Sequence, residues 1–83
     1  MTNQKPAITF TDGNLQATAW KRTSDKGTFY QVTLNRRYRD DDGWHDSSSY
    51  SGSELLRIAR LAQRAYDYTL ELRRQDRDNA SAE

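Results

Sequence analysis

The chain has 83 residues, a net charge of +1, a mean hydropathy of −1.14 and no cysteine. This describes one small domain with a thin apolar core, and it excludes disulfides and thiolate metal sites. No apolar run approaches the roughly 20 residues needed to cross a bilayer, and no stretch resembles a signal peptide, so a cytoplasmic protein is expected.

Residues 1–6 are polar and are expected to be flexible, residues 7–73 to form the single domain, and the charged residues 74–83 to form a disordered tail. Ile8 and Phe10 alternate with Thr9 and Thr11, and Asp12-Gly13 is a strong hairpin signal. A two-residue turn there pairs Thr11 with Asn14, Phe10 with Leu15 and Ile8 with Ala17. A second strand is expected from Leu15 to about Arg22, before "TSDKG" reverses the chain. The third runs from Thr28 to about Arg39, with Tyr30, Val32 and Leu34 on one face. Asp40 to Gly43 make the next turn. The fourth strand, Trp44 to Tyr50, is weak because Ser47, Ser48 and Ser49 lack packing bulk. Trp44 is expected to pack over the helix end as core.

Ser51 as N-cap with Glu54 three residues later fits a capping box. The helix is expected from about Ser53 to Arg73. Leu55, Ile58, Ala59, Ala62, Tyr66 and Leu70 recur at helical spacing as the sheet-facing stripe, with Arg57, Arg60, Arg64, Asp67 and Glu71 opposite. Leu61, Tyr68 and Leu72 lie beyond one edge of that stripe. The apolar arc is wider than one sheet contact needs, which marks these three residues as a contact between subunits. The fold class is therefore α+β: a four-stranded antiparallel meander followed by one long C-terminal helix packed on one face (ββββα), in a dimer.

Side-chain alternation then sorts the functional candidates. If Phe10, Leu15 and Ala17 face the helix, Gln16, Thr18 and Trp20 face away. Phe29, Gln31, Thr33, Asn35 and Arg37 do the same on the third strand. Trp20 and Phe29 become cross-strand neighbours on an uncovered face, with Arg22 and Arg37 beside them and Arg39 further along. Bases stack on aromatic faces and cations track phosphates, so this surface suits a single-stranded nucleic acid. A single β-bulge near Ala19 would turn Trp20 inward, and an exposed Trp–Phe pair suits a dimer surface equally.

Catalytic and metal chemistry find little support. His45 is the single histidine, and its neighbours Asp46 and Ser47 alternate between faces. "DDDGW" lacks the ligand spacing of a calcium loop. No Gly-rich phosphate loop is present. A non-enzymatic protein without cofactor or metal is expected.

Two hairpins followed by one long helix, with aromatic and basic residues on the strands, form a recognisable pattern. The stretches "LQATAWKR", "GTFYQVTLNRRYRDDDGWH" and "SGSELLRIARLAQRAYDYTLEL" carry it. They resemble the whirly-type, transcriptional-coactivator-like domains that bind single-stranded DNA. The resemblance implies helix-mediated homodimers, DNA rather than RNA as ligand, and binding positions at Trp20, Lys21, Arg22, Phe29, Arg37 and Arg39. The alternative is a small protein-interaction or inhibitor module of the kind phages and mobile elements carry. It would contact a partner protein through the acidic turn Asp40-Asp41-Asp42 or the exposed sheet face.

Overall fold

The computed structural model describes residues 5–81, with side chains as far as Asp78. Residues 1–4 of the expected flexible N-terminus and residues 82–83 of the expected tail lie outside the described residues. Four strands, β1 (Ile8–Asp12), β2 (Leu15–Ser24), β3 (Gly27–Asp40) and β4 (Gly43–Ser47), precede one helix, α1 (Gly52–Ser81). The strands form one open antiparallel sheet in the order β1-β2-β3-β4, which is the expected ββββα arrangement.

All three turns have two central residues: Gly13-Asn14, Asp25-Lys26 and Asp41-Asp42. The first falls one residue later than the Asp12-Gly13 signal suggests. Phe10 pairs with Ala17 and Ile8 with Ala19, in place of Leu15 and Ala17. Gly13 has φ +62°, and Asn14 has no positive φ. A positive φ at the first central position alone is the type II′ requirement, which places the glycine first. The correction moves each partner by two residues, so the faces stay as expected because side chains alternate with period two.

The sheet's inner face holds Ile8 and Phe10 of β1, Leu15, Ala17 and Ala19 of β2, and Tyr30, Val32 and Leu34 of β3. Leu15, Ala17, Ile58, Leu61 and Ala65 form the buried core, with Phe10, Leu34 and Tyr50 packed around it. Alanines on β2 let the helix approach closely, and Leu15 and Leu61 fill the space between.

The helix is rotated from its expected setting. Ile58, Leu61 and Ala65 are buried, Tyr68 and Leu72 are half-buried, and Leu61 is only 2% exposed. Tyr68 meets Phe10 edge-on, with ring centroids 5.9 Å apart. Leu61, Tyr68 and Leu72 thus belong to the sheet-facing stripe and are not a free surface for a second subunit. Leu55, Tyr66 and Leu70, expected to face the sheet, are exposed. The apolar arc contains two stripes about 110° apart around the helix axis, and polar contacts at the β1 edge select between them. Arg57 clamps Asp12, donating from Nη2 to its carbonyl (3.0 Å) and Oδ1 (3.1 Å) and from Nε to Oδ2 (3.2 Å). Arg64 lies 4.4 Å from the Phe10 ring centroid. A Cβ on Gly13 would stand 2.8 Å from Arg57 Nη2, so the flexible end of that arginine would have to shift.

Both helix ends are tied down. The Ser51 N–H donates to Glu54 Oε1 at 2.9 Å, the glutamate half of a capping box, and Arg36 pairs with the same oxygen at 3.7 Å. At the far end the helix continues past Arg73 through residues expected in the disordered tail. Tyr30 Oη donates to Asp76 Oδ2 at 2.6 Å, and Lys21 Nζ lies 3.9 Å from Asp76 Oδ1. These contacts hold the last turns over the sheet.

Candidate nucleic-acid interface

The register between β2 and β3 runs without offset from Leu15–Arg36 to Ser24–Gly27. No bulge interrupts it, so Trp20 points away from the helix. Thr9 and Thr11 share its face on β1, and Gln16, Thr18 and Arg22 on β2. Phe29, Gln31, Thr33, Asn35, Arg37 and Arg39 follow on β3, and Trp44 and Asp46 on β4. The helix contacts β1, β2 and β3 from the other side.

Trp20 is half-buried in the middle of this open face. Its indole Nε1–H donates to Thr33 Oγ1 at 3.1 Å, which fixes the ring edge across the strand pair. The Arg22 guanidinium lies 5.5 Å from the Trp20 ring centroid, and Arg22 Nε donates to Gln31 Oε1 at 3.0 Å. Trp20 pairs directly with Gln31, and Phe29 with Arg22. The two aromatics are therefore diagonal neighbours and not directly opposed, a separation aromatic side chains still span. Phe29 is 42% exposed.

The far end of the face carries a second aromatic–arginine set. Trp44 pairs with Arg39 and is 62% exposed, so it is not core as expected. The Asp41-Asp42 turn pairs Asp40 with Gly43, and that parity sends Trp44 outward. Helix α1 contacts the first three strands and leaves β4 uncovered. The Arg37 guanidinium lies 5.1 Å from the Trp44 ring centroid and 3.8 Å from Asp46 Oδ1. Asn35 Nδ2 donates to Gln16 Oε1 and Asp46 Oδ1 at 3.3 and 3.1 Å. Arg39 is exposed and makes no ion pair among the described residues.

Five of the six expected binding residues, Trp20, Arg22, Phe29, Arg37 and Arg39, share this face. Lys21 does not: it stands opposite Tyr30 on the helix side, near Asp76. Strand parity alone would have excluded it. Trp44 was missed as a member of the face, and the parity of the Asp40–Gly43 turn was the signal that could have found it. The face carries three arginines against the single carboxylate of Asp46.

The other polar groups lie elsewhere. His45 is on the helix side, with Nε2 2.8 Å from Asp40 Oδ1 and its ring stacked on Tyr38. Among the described residues no group of three or more His, Asp or Glu side chains is arranged to hold a metal ion. A cleft of 470 Å³ lies between β3 and the helix end, lined by Thr28, Tyr30, Leu70, Arg73, Asp76 and Arg77. Burial, and then the hydrogen bond to Asp76, push the Tyr30 phenol up to about 12.

Comparison of the chain with family models, curated proteins and solved structures returned no match.

Proposed function

We propose that this chain is a non-catalytic module that binds single-stranded nucleic acid, DNA in preference to RNA, on the sheet face opposite the helix. One observation carries the reading: Trp20, Phe29 and Trp44 lie with Arg22, Arg37 and Arg39 on a face that no other element covers. Exposed aromatics on a sheet offer stacking surfaces to unstacked bases, and each stacked base contributes roughly 1–3 kcal/mol. Bases inside a duplex are already stacked, so the surface favours single strands.

The arginines divide their work. Arg22 and Arg37 lie against the Trp20 and Trp44 rings, which holds the guanidinium groups beside the stacked bases. From there Arg22 and Arg37 each reach the phosphate next to their base, and Arg39, projecting beyond the second set, meets a third phosphate. From Phe29 to Arg39 the face extends about 33 Å along β3, at roughly 3.3 Å per residue. The amides of Gln31 and Asn35 occupy the middle of that track.

Titration of a labelled single-stranded oligonucleotide at two salt concentrations tests the proposal. Neutralising three phosphates on a single strand gives a slope of about −2 in log K against log salt, or roughly 15-fold weaker binding between about 50 and 200 mM. Tryptophan fluorescence should be quenched in parallel, because both indoles are on the binding face. Absence of binding and of quenching at low salt would end the reading. Reversing Asp41 and Asp42 to lysine separates it from the protein-partner alternative: oligonucleotide binding should strengthen, whereas a partner recognised through the acidic turn would be lost.

A further inference from the structure

We infer that the free edge of β3 accepts an added strand from a partner protein, an extended segment with few charges along its length and acidic residues at its C-terminal end. The inference is independent of whether the open face binds a nucleic acid, because it uses the backbone edge and the helix side of β3. It begins from strand lengths. β3 runs from Gly27 to Asp40, but β4 pairs only with residues 36–40. Residues 27–35 therefore have β2 on one side and no strand on the other.

The parity of the ladder fixes which backbone groups are left over. The Arg37 N–H donates to the Asn14 carbonyl at 2.8 Å, so the odd-numbered residues of β3 bond to β2. The closing pair Ser24–Gly27 has the same parity. The even-numbered residues Thr28, Tyr30, Val32 and Leu34 thus aim N–H and C=O away from β2. No backbone hydrogen bond from a turn or loop among the described residues reaches them.

Exposed edges of this length are normally blunted by lysine, proline, a bulge or an inward-pointing charge. This one has none of them. The chain is 30% charged, yet residues 27–35, "GTFYQVTLN", include no charged residue and no proline, and their pairing with β2 has no offset. The overhang of β2 on the opposite side of the ribbon carries Lys21 and Arg22, and the outer strands β1 and β4 have only 5 residues each. The long unprotected edge is particular to β3, and strand addition is the recognition mode it fits.

Charge selects the occupant. The cleft of 470 Å³ takes its sheet wall from Thr28 and Tyr30, with no β2 residue in its lining, so it opens at this edge. Its helix wall bears Leu70, Arg73 and Arg77. Asp76 is engaged by Tyr30 and Lys21, whereas Arg73 and Arg77 make no ion pair among the described residues. They stand one helical turn apart, where like charges repel. An added strand that runs antiparallel, as every pair in this sheet does, brings its C-terminal end beside Thr28. Carboxylates at that end meet both arginines. A second copy of the β3 edge cannot supply them, because residues 27–35 hold no acid.

Titration of the full chain with a labelled peptide of about nine residues tests this, a length within the ordinary range of strands. The peptide alternates threonine and valine and ends in two glutamates; a second peptide ends in two lysines instead. The glutamate peptide should bind at least tenfold tighter. Amide hydrogen exchange locates it: binding should slow Thr28, Tyr30, Val32 and Leu34 at least tenfold, while Phe29, Gln31 and Thr33, already bonded to β2, change little. Val32→Pro removes one outward N–H and spares the β2 ladder, so it should weaken binding at least tenfold with circular dichroism retained. Arg73→Glu combined with Arg77→Glu should reverse the preference to the lysine peptide. Absence of binding at hundreds of micromolar overturns the inference, as does equal affinity for the two peptides. So does protection that does not fall on the even-numbered amides, or a folded Val32→Pro variant that binds like the wild type. A chain of twice the 9.7 kDa mass, with those amides protected before any peptide is added, has its edge filled by a second copy and also overturns it.

Discussion

Trp20 and Trp44 carry similar chemistry in different settings. Trp20 is half-buried and tied to Thr33, whereas Trp44 is mostly exposed and held by Arg37. Trp20→Ala should weaken oligonucleotide binding by about 1–3 kcal/mol, and Trp44→Ala by an amount in the same range, both read from anisotropy titrations. Trp44→Ala should leave the melting temperature unchanged because its ring supports no core contact. Arg39→Gln should behave differently again. It removes one phosphate contact, so the salt slope should shrink by about 0.7 while the quenching at saturation is retained. The faces of Trp20, Phe29, Arg22 and Arg37 were legible in the sequence because period-two alternation survives any even slip in register. Trp44 was not legible. A tryptophan between an acidic turn and three serines reads as core until the turn's pairing parity is known.

At the scale of elements, the helix was recognised from its spacing and its cap, but not its rotation. Two adjacent apolar stripes satisfy the same periodicity, and the residues that choose between them, Arg57 and Arg64, read as solvated charge in the sequence. The C-terminal turns were also illegible, because "RRQDRDNASAE" has a disordered composition and its anchor is a contact between Asp76 and the distant Tyr30. The rotation has a direct consequence. Leu61→Ala should cost about 2–5 kcal/mol in chemical denaturation of the monomer, whereas Leu55→Ala should cost little, being exposed. The Tyr30–Asp76 tie adds a pH dependence. The folded-state Tyr30 phenol is raised from 10.0 to about 12, so folding favours its protonated form. Its stabilisation is fully present below pH 10.0 and is lost as pH rises towards 12. Alkaline titration followed at the tyrosinate absorbance should show the Tyr30 phenol ionising late, alongside the Tyr50 phenol that burial also pushes up, and Asp76→Asn should lower the Tyr30 pKa alone.

The whole molecule is an elongated slab, 53 × 33 × 18 Å, in which a helix about 45 Å long matches a β3 strand of about 46 Å. Its two broad sides are chemically different. One carries aromatics, amides and arginines; the other carries the helix and its unpaired apolar stripe. The most direct test of the account is where a strand lies on the protein. Nuclear magnetic resonance of the labelled chain during titration with a short single-stranded oligonucleotide reads this residue by residue. The account predicts shifts of the Trp20 and Trp44 indole Nε1–H signals and of the Phe29 to Arg39 amides, with Ile58, Leu61 and Ala65 unmoved. Shifts confined to the helix side, or none at saturating oligonucleotide, would contradict it.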